Sequence, residues 1–546
     1  MDQEILLQAL LIAIWAGIAG IDLFNGLLHI HRPIVTGVIV GLILGDLPTG
    51  VMTGAAIELV WAGMVPLAGA QPPNVVIGGI IGTAFAILTG QEPQVAIGVA
   101  VPFAVAVQAC ITLMFTAFSP VMHKADKYAE EANTKGIDRI NYLGIATLFV
   151  FYFVVAFLPI YFGADAAKSV VESLPAWIIA GLGTAGGMMA AIGFAMLLKI
   201  MLKKQYIAYF IVGFILVTYL QMPIIAVALI GLAIAMYDFY KTSGGQGAAM
   251  RGRGAVASEN AAIEPEISVQ ANNPEFYEDS SAEQLITKKD LNKMVWRSLL
   301  LQASFNYERM QAAGWLYSIL PGLKKVHKNK HDLSESMKSH MEFFNTHPFL
   351  VNIIMGIVLA MEERKQNRNT IRAIRVAMMG PLGGIGDALF WLTLLPICVG
   401  IGASLGADGN PIGALVFLII FNVVHFGLRF GLMRYGYNAG TNAISSLKEN
   451  TKKVSHAASI VGLTVVGGLI ASFVQLKANL VIHAGKAEIA LQEDLLDKIM
   501  PNMLPLGYTL LMYYLLKRGL SPVILILITV VIGIIGKIPF PFGTIL

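Results

Sequence analysis

The chain has 546 residues, 56% hydrophobic and 13% charged, with a formal net charge of +4 and a mean hydropathy of +0.69. Soluble domains carry roughly 25% charged residues, so this composition excludes an ordinary water-soluble fold and makes lipid the natural solvent. With so small a net charge and no basic run interleaved with aromatics, a nucleic-acid partner is also excluded.

The chain opens Met-Asp-Gln-Glu without a basic stretch, so the apolar segment Ile5 to Ile21 is expected to be retained rather than cleaved as a secretory signal. Tyr142 to Phe162 and Trp177 to Leu202 are the other clear apolar segments before Tyr240. Several runs fall short of the ~20 residues that a spanning helix needs. Gly or Pro breaks them, as at Gly45-Asp-Leu-Pro-Thr-Gly50 and Gln71-Pro-Pro-Asn74. Broken backbone at membrane depth is tolerated where protein or a watery cavity receives its freed polar groups, and in transporters such segments build substrate sites. They therefore read as re-entrant helices, with plain loops between short helices as the alternative.

From Lys241 the chain turns Gly-rich and then acidic, through Glu259, Glu264, Glu266, Glu275, Glu278, Asp279 and Glu283. Such a stretch buries too little apolar surface to offset its ordering entropy, so residues 241–285 are expected to form a disordered linker. Residues 286 to about 347 are amphipathic and read as helices lying at a membrane surface or packed on a partner. Apolar segments follow at Phe349 to Met361, Ile385 to Leu405, Ile412 to Met433, Ala457 to Leu476, Leu504 to Leu516 and Pro522 to Ile535. The expected fold is an all-α polytopic membrane protein: a membrane domain at 1–240, the linker, and a second membrane domain at 286–546 with amphipathic N-terminal helices.

An ionisable residue inside an apolar segment is costly and marks function by default. Asp22, with Asn25 three residues on, and Glu58 are the first such groups; Gln71 and Asn74 flank a Pro-Pro turn. Carboxylates and amides suit the hydroxyl groups of a sugar, and Trp61 offers a ring face to a pyranose. The competing role for Asp22 and Glu58 is a helix cap or structural hydrogen bond. On a helix, Gln302, Asn306 and Arg309 would share one face, with Glu308 and Gln311 on another; for Arg309 a structural network is the favoured role. Glu362 and Glu363 end an apolar segment, and Asp387 closes a Gly-rich turn where capping is a rival explanation. His29 and His31 are the close histidine pair of the first half. Cys110 and Cys398 lie in apolar runs and read as packing residues. No phosphate loop, nucleophile elbow or zinc-ligand spacing occurs, so no catalytic residue, metal or cofactor is expected.

At the level of motifs, the chain resembles the mannose-family sugar phosphotransferase permeases. Gly-Ile-Asp-Leu-Phe-Asn-Gly, His-Arg-Pro-Ile-Val-Thr-Gly and Gly-Ala-Ala-Ile-Glu-Leu-Val-Trp in the first half are similar to the IIC component. Gln-Ala-Ser-Phe-Asn-Tyr-Glu-Arg-Met-Gln, Glu-Phe-Phe-Asn-Thr-His-Pro-Phe, Leu-Ala-Met-Glu-Glu and Met-Gly-Pro-Leu-Gly-Gly-Ile-Gly-Asp in the second are similar to the IID component. The run Ala-Gly-Ala-Gln-Pro-Pro-Asn-Val is most similar to the N-acetylgalactosamine and galactosamine branch. IIC and IID are usually separate chains, whereas here they are continuous.

The resemblance implies an inner-membrane protein that binds sugar between its IIC and IID parts and carries it by an elevator-like movement. A cytoplasmic IIB subunit, charged by IIA, then phosphorylates the sugar, so no phosphorylation site is expected here. It further implies homotrimers of the IIC–IID unit in lipid, and sugar-binding roles for Asp22, Asn25, Glu58, Gln71 and Asn74, and also for Gln302, Asn306, Glu308 and Glu362. An ion-coupled sugar transporter using Asp22 or Glu58 is the alternative. The basic loops Lys199 to Lys204 and Lys324 to Lys330 are either IIB contacts or topology-setting loops.

Overall fold

The computed structural model describes residues 3–64, 72–249, 277–279, 281, 283–440, 442–484, 487–538 and 545–546. Backbone groups in lipid must be satisfied within the segment, which selects helices. Eight described helices are long and apolar enough to cross a membrane: Gln3–Phe24, Pro93–Glu130, Thr134–Gly163, Ala176–Met201, Ile224–Lys241, Arg368–Ala407, Ile412–Ala439 and Ser455–Phe473. The expected all-α polytopic membrane class holds, with one local exception. Val481–Ala484 and Ala487–Ala490 form an antiparallel hairpin with Ile482 opposite Ile489.

The Gly45–Gly50 break is a tight corner between two short helices, Pro33–Leu44 and Leu47–Trp61. Gly45 takes the left-handed conformation (φ 83°) and Asp46 caps the next helix by accepting from the Thr49 N–H at 3.1 Å. The two helices then pack backbone to backbone. A Cβ on Gly37 would lie 2.4 Å from the Gly50 carbonyl oxygen, and one on Gly50 would lie 2.5 Å from that of Gly37. Small residues are what permit such an approach where lipid supplies no hydrophobic drive.

The two halves interleave. Ile207–Thr218 packs along Asn442–Phe473, and Pro522–Gly536 along Ala176–Met201. Asn141 Nδ2 donates to the Leu300 carbonyl at 3.1 Å and its Oδ1 accepts from Ser304 at 2.9 Å. Arg297 pairs with Asp138 at 2.5 Å, and Arg309 pairs with Asp126.

One expectation for the second half is corrected. Residues 302–311 are not a helix, so Gln302, Asn306 and Arg309 share no helical face. Asn306 Oδ1 captures the N–H groups of Glu308 (3.1 Å) and Arg309 (2.9 Å), and Met310 has φ 55°. That side-chain turn competes with helix formation. The following helix, Ala312–Val326, buries Trp315, Leu316 and Ile319 completely, as a helix packed on other parts of the protein does.

The segment expected as linker is helical at its start, since Ile224–Ala249 runs past Lys241. Residues 250–276 lie outside the described residues. The far end is tied down: Tyr277 stacks on His327 with ring centroids 5.7 Å apart and donates to the Gln366 carbonyl at 2.8 Å. Arg368 lies 4.6 Å from the same ring, and burial lowers the neighbouring Lys365 ammonium from its usual range. The Glu278 and Asp279 N–H groups donate to the buried Asp332 carboxylate at 3.0 and 2.9 Å, and those of Leu285 and Ile286 to Glu363 at 2.7 and 2.8 Å. Tyr277→Ala is expected to open residues 277–286 to limited proteolysis, whereas Tyr277→Phe, which loses about 1 kcal/mol of hydrogen bond, should keep them protected.

Candidate functional site

A cavity of about 620 Å³ lies at the seam, lined by both halves of the chain. On the first-half side it is shaped by the loop that follows Gln3–Phe24. The Asp22 carboxylate organises this loop: Oδ1 accepts from Leu28 N–H at 2.7 Å, and Oδ2 accepts from His31 N–H at 3.2 Å and pairs with its Nδ1 at 2.8 Å. Such anchoring holds Leu27 (φ 53°) and His29 (φ 65°) in the left-handed region, which costs about 1–3 kcal/mol per non-glycine residue. His29 inserts among second-half aromatics, with Phe421 at 3.7 Å and Trp391 at 5.7 Å between ring centroids. The loop delivers His31 and Arg32 to the cavity wall. Arg32 donates from Nε (2.8 Å) and Nη2 to Glu58 Oε1, while Glu58 Oε2 accepts from Ile34 N–H at 3.3 Å, at the start of Pro33–Leu44.

The opposite wall comes from the 302–311 turn, the loop at 345–348 and the end of Arg368–Gly386. Gln311 clamps the loop, its Oε1 accepting from Thr346 N–H and its Nε2 donating to the Thr346 carbonyl, both at 3.0 Å. The Gly-rich motif divides its labour. A Cβ on Gly386 would lie 2.1 Å from His347 Cγ, so glycine there lets the imidazole press against the helix. Cβ atoms on Gly380, Gly383 or Gly384 would meet nothing within 4 Å, although all three line the cavity; their missing side chains leave ligand space. The helix then passes into a π-helix at Asp387–Leu394, a distortion frequent at functional sites. Asp387 ends the helix, its backbone N–H donating to the Gly383 and Gly384 carbonyls; its carboxylate makes no hydrogen bond among the described residues and faces the cavity, 3.9 Å from His347 Nε2.

Of the residues expected to hold sugar, Asn74 and Gln302 line the cavity. Asn74 is committed to structure, capping Val75–Thr89 through Ile77 N–H at 3.0 Å and donating to Tyr152 Oη at 2.7 Å. Asp22 and Glu58 stand one layer behind the wall and hold it. Asn25 is buried with both amide atoms unpartnered, off the cavity lining. Trp61 is fully buried and donates to the Pro73 carbonyl at 2.9 Å, so it offers no free ring face; the tryptophan on the cavity lining is Trp391, packed beside His29, His347 and Phe349. Asn306 shapes its turn, and Glu308 is exposed beside Arg309. Glu362 sits away from the cavity, fully enclosed by His327 Nε2 (2.7 Å), His340 Nε2 (3.0 Å) and Ser336 (3.1 Å). Gln71 lies outside the described residues.

Beyond Gln302, Gln108, Asn345 and Asp387 line the cavity with no side-chain hydrogen bond among the described residues, and His347 lines it with a buried Nε2 that has no hydrogen-bond partner there. Gln108 was legible as an amide in the interior of the apolar helix Pro93–Ala117, whose other amide, Gln94, sits at its start. His347 carried no periodic signal. Glu58→Gln would leave Arg32 buried without its counter-charge, at a cost of about 3–5 kcal/mol. A fall in unfolding temperature is expected, partly recovered in the double variant Arg32→Gln/Glu58→Gln.

Comparison with known proteins agrees with this two-part site. The family model described as PTS system sorbose-specific IIC component matches residues 6–237, and that of the PTS system mannose/fructose/sorbose family IID component matches residues 285–539. The chain is 36% identical over 265 residues to the Fructose permease IID component of Bacillus subtilis (strain 168), covering 46% of this chain and 96% of that one. It is 39% identical over 247 residues to the N-acetylgalactosamine permease IIC component 1 of Escherichia coli (strain K12), covering 45% of this chain and 92% of that one. Over 121 residues, 22% of this chain, it is 64% identical to the "Putative N-acetylgalactosamine permease IIC component 2" of the same strain, covering 91% of it. Relatives matched almost end to end in each half, and a cavity walled by both, establish that the chain belongs to the PTS mannose/fructose/sorbose family, as an inner-membrane sugar permease with its IIC and IID components in one polypeptide.

Proposed function

We propose that this permease translocates an amino sugar of the N-acetylgalactosamine or galactosamine class and hands it to a cytoplasmic IIB subunit, itself charged by IIA, for phosphorylation. The observation that carries this reading is the seam cavity. Its volume of about 620 Å³ is in the range of small-ligand sites, and uncommitted amides, an imidazole N–H and a carboxylate converge on it beside the Trp391 ring. These are the donors and acceptors that a ring of hydroxyl groups requires. The 64% identity to a relative named for N-acetylgalactosamine supports the sugar class.

A site built from two halves suits alternating access, because relative movement of its walls opens and closes it. We include an elevator-like movement and assembly as a homotrimer of the IIC–IID unit in the proposal. Contact with sugar is assigned to Gln108, Gln302, Asn345, His347, Asp387 and Trp391, with Asn74 adjoining them; Gln71 is kept as a contact on its sequence motif alone. Asp22, Asn25 and Glu58 support the loop and helix behind the wall. Ion coupling is disfavoured on the page: Asp22 and Glu58 are already engaged by His31 and Arg32.

Uptake of radiolabelled N-acetylgalactosamine and galactosamine, in cells with and without IIA and IIB, tests the reading. Sugar phosphate should accumulate only with all components. Free sugar accumulating without IIA and IIB, and abolished by an uncoupler, would contradict it. Gly384→Ala provides a second test, because its methyl group occupies ligand space without touching protein. Removing a glycine from a helix interior is favourable by roughly 0.5–1 kcal/mol, so uptake should fall while the unfolding temperature holds or rises.

A further inference from the structure

Resting on the amino-sugar reading, we infer that the cavity selects the free ammonium form of the sugar over its N-acetylated form, with Asp387 holding the ammonium and His347 an adjacent hydroxyl.

The described lining residues include three basic side chains, His31, Arg32 and His347, and one carboxylate, Asp387. Arg32 is neutralised from behind by Glu58, and His31 is bonded to Asp22. Among the described residues, Asp387 is therefore left without a cationic partner at hydrogen-bond distance. A carboxylate about a third exposed (35%) at the wall of a partly apolar cavity gains when a cation joins it there. An ammonium supplies that charge together with three donors, whereas an acetamido group supplies one donor and no charge.

Nδ1 of His347 accepts from the Phe349 N–H at 3.4 Å, which leaves the proton on Nε2. Nε2 is buried, has no hydrogen-bond partner and stands 3.9 Å from Asp387 Oδ1. That gap is too long for a hydrogen bond and leaves side by side one acceptor and one donor, each unused. A 2-amino-2-deoxyhexose presents the complement: an ammonium that donates, flanked by a hydroxyl oxygen that accepts. A neutral hexose fills the same positions without the charge. Volume does not make the distinction, since about 620 Å³ accommodates either form; the uncompensated carboxylate does.

The test measures binding of galactosamine, N-acetylgalactosamine and galactose to the purified full chain in lipid nanodiscs, by equilibrium dialysis near neutral pH. Wild type and Asp387→Asn are compared, with thermal unfolding as a folding check. Wild type should prefer galactosamine over each of the others by about tenfold, the value of a charge-assisted hydrogen bond. In Asp387→Asn that ratio should collapse towards one, and His347→Gln should weaken all three sugars while keeping the ranking. Should Asp387→Asn fail to fold, the wild-type ranking alone decides. A wild-type preference for N-acetylgalactosamine, or an unchanged ratio in a folded Asp387→Asn, would overturn the inference and leave the amino-sugar reading standing. A preference for galactose would overturn both.

Discussion

The buried pair of Arg32 and Glu58 is the interaction on which the seam depends. Its guanidinium is 5% exposed and its carboxylate fully buried. An isolated charge at such a position is expensive, and only pairing with good hydrogen-bond geometry makes it tolerable. Here Glu58 satisfies both demands, taking two guanidinium donors on one oxygen and the Ile34 N–H on the other. The pair thus locks the loop at 25–32 to the helix Leu47–Trp61. Asp22 performs the same service at the loop's other end through Leu28 and His31. Between these two carboxylates the backbone is held in a left-handed course that sends His29 into the aromatic cluster of the other half.

The facing wall is made by a different device. Glycines in the helix Arg368–Gly386 either admit His347 or leave space open, and Gln311 fixes the loop that carries His347 by two bonds to a single residue. One wall is rigid because charges are buried in it. The other is shaped because side chains are missing from it. Their union leaves a small set of polar groups unpaired, and those groups are where ligand chemistry concentrates.

Much of the architecture was legible in the sequence. Hydropathy located the clear helices, and the Gly-Pro breaks marked the paired short helices because both signals are local. The motifs around Asp22, Glu58 and Asp387 lie in segments that the fold brings to the cavity or just behind its wall. Their individual roles were not legible. Asp22 finds its partners six and nine residues onward, and Glu58 finds Arg32 twenty-six residues back, so an intramembrane carboxylate that reads as a ligand group is in fact a wall anchor. Trp61 and Asn74 were drawn inward for the same reason: each had a structural partner that sequence spacing does not reveal. The run at 302–311 was misread as helical because the Asn306 turn overrides a favourable polar pattern. Asp387 and His347 meet only through tertiary packing, forty residues apart.

The central claim is that sugar binds at the seam, touching both halves at once. It is tested most directly by photo-crosslinking the purified full chain with a diazirine derivative of galactosamine and mapping the labelled peptides. Labels are predicted in both halves, around 64–108 and around 302–391, with excess unmodified sugar suppressing both. Labels confined to one half, or centred on the enclosed Glu362, would contradict the account.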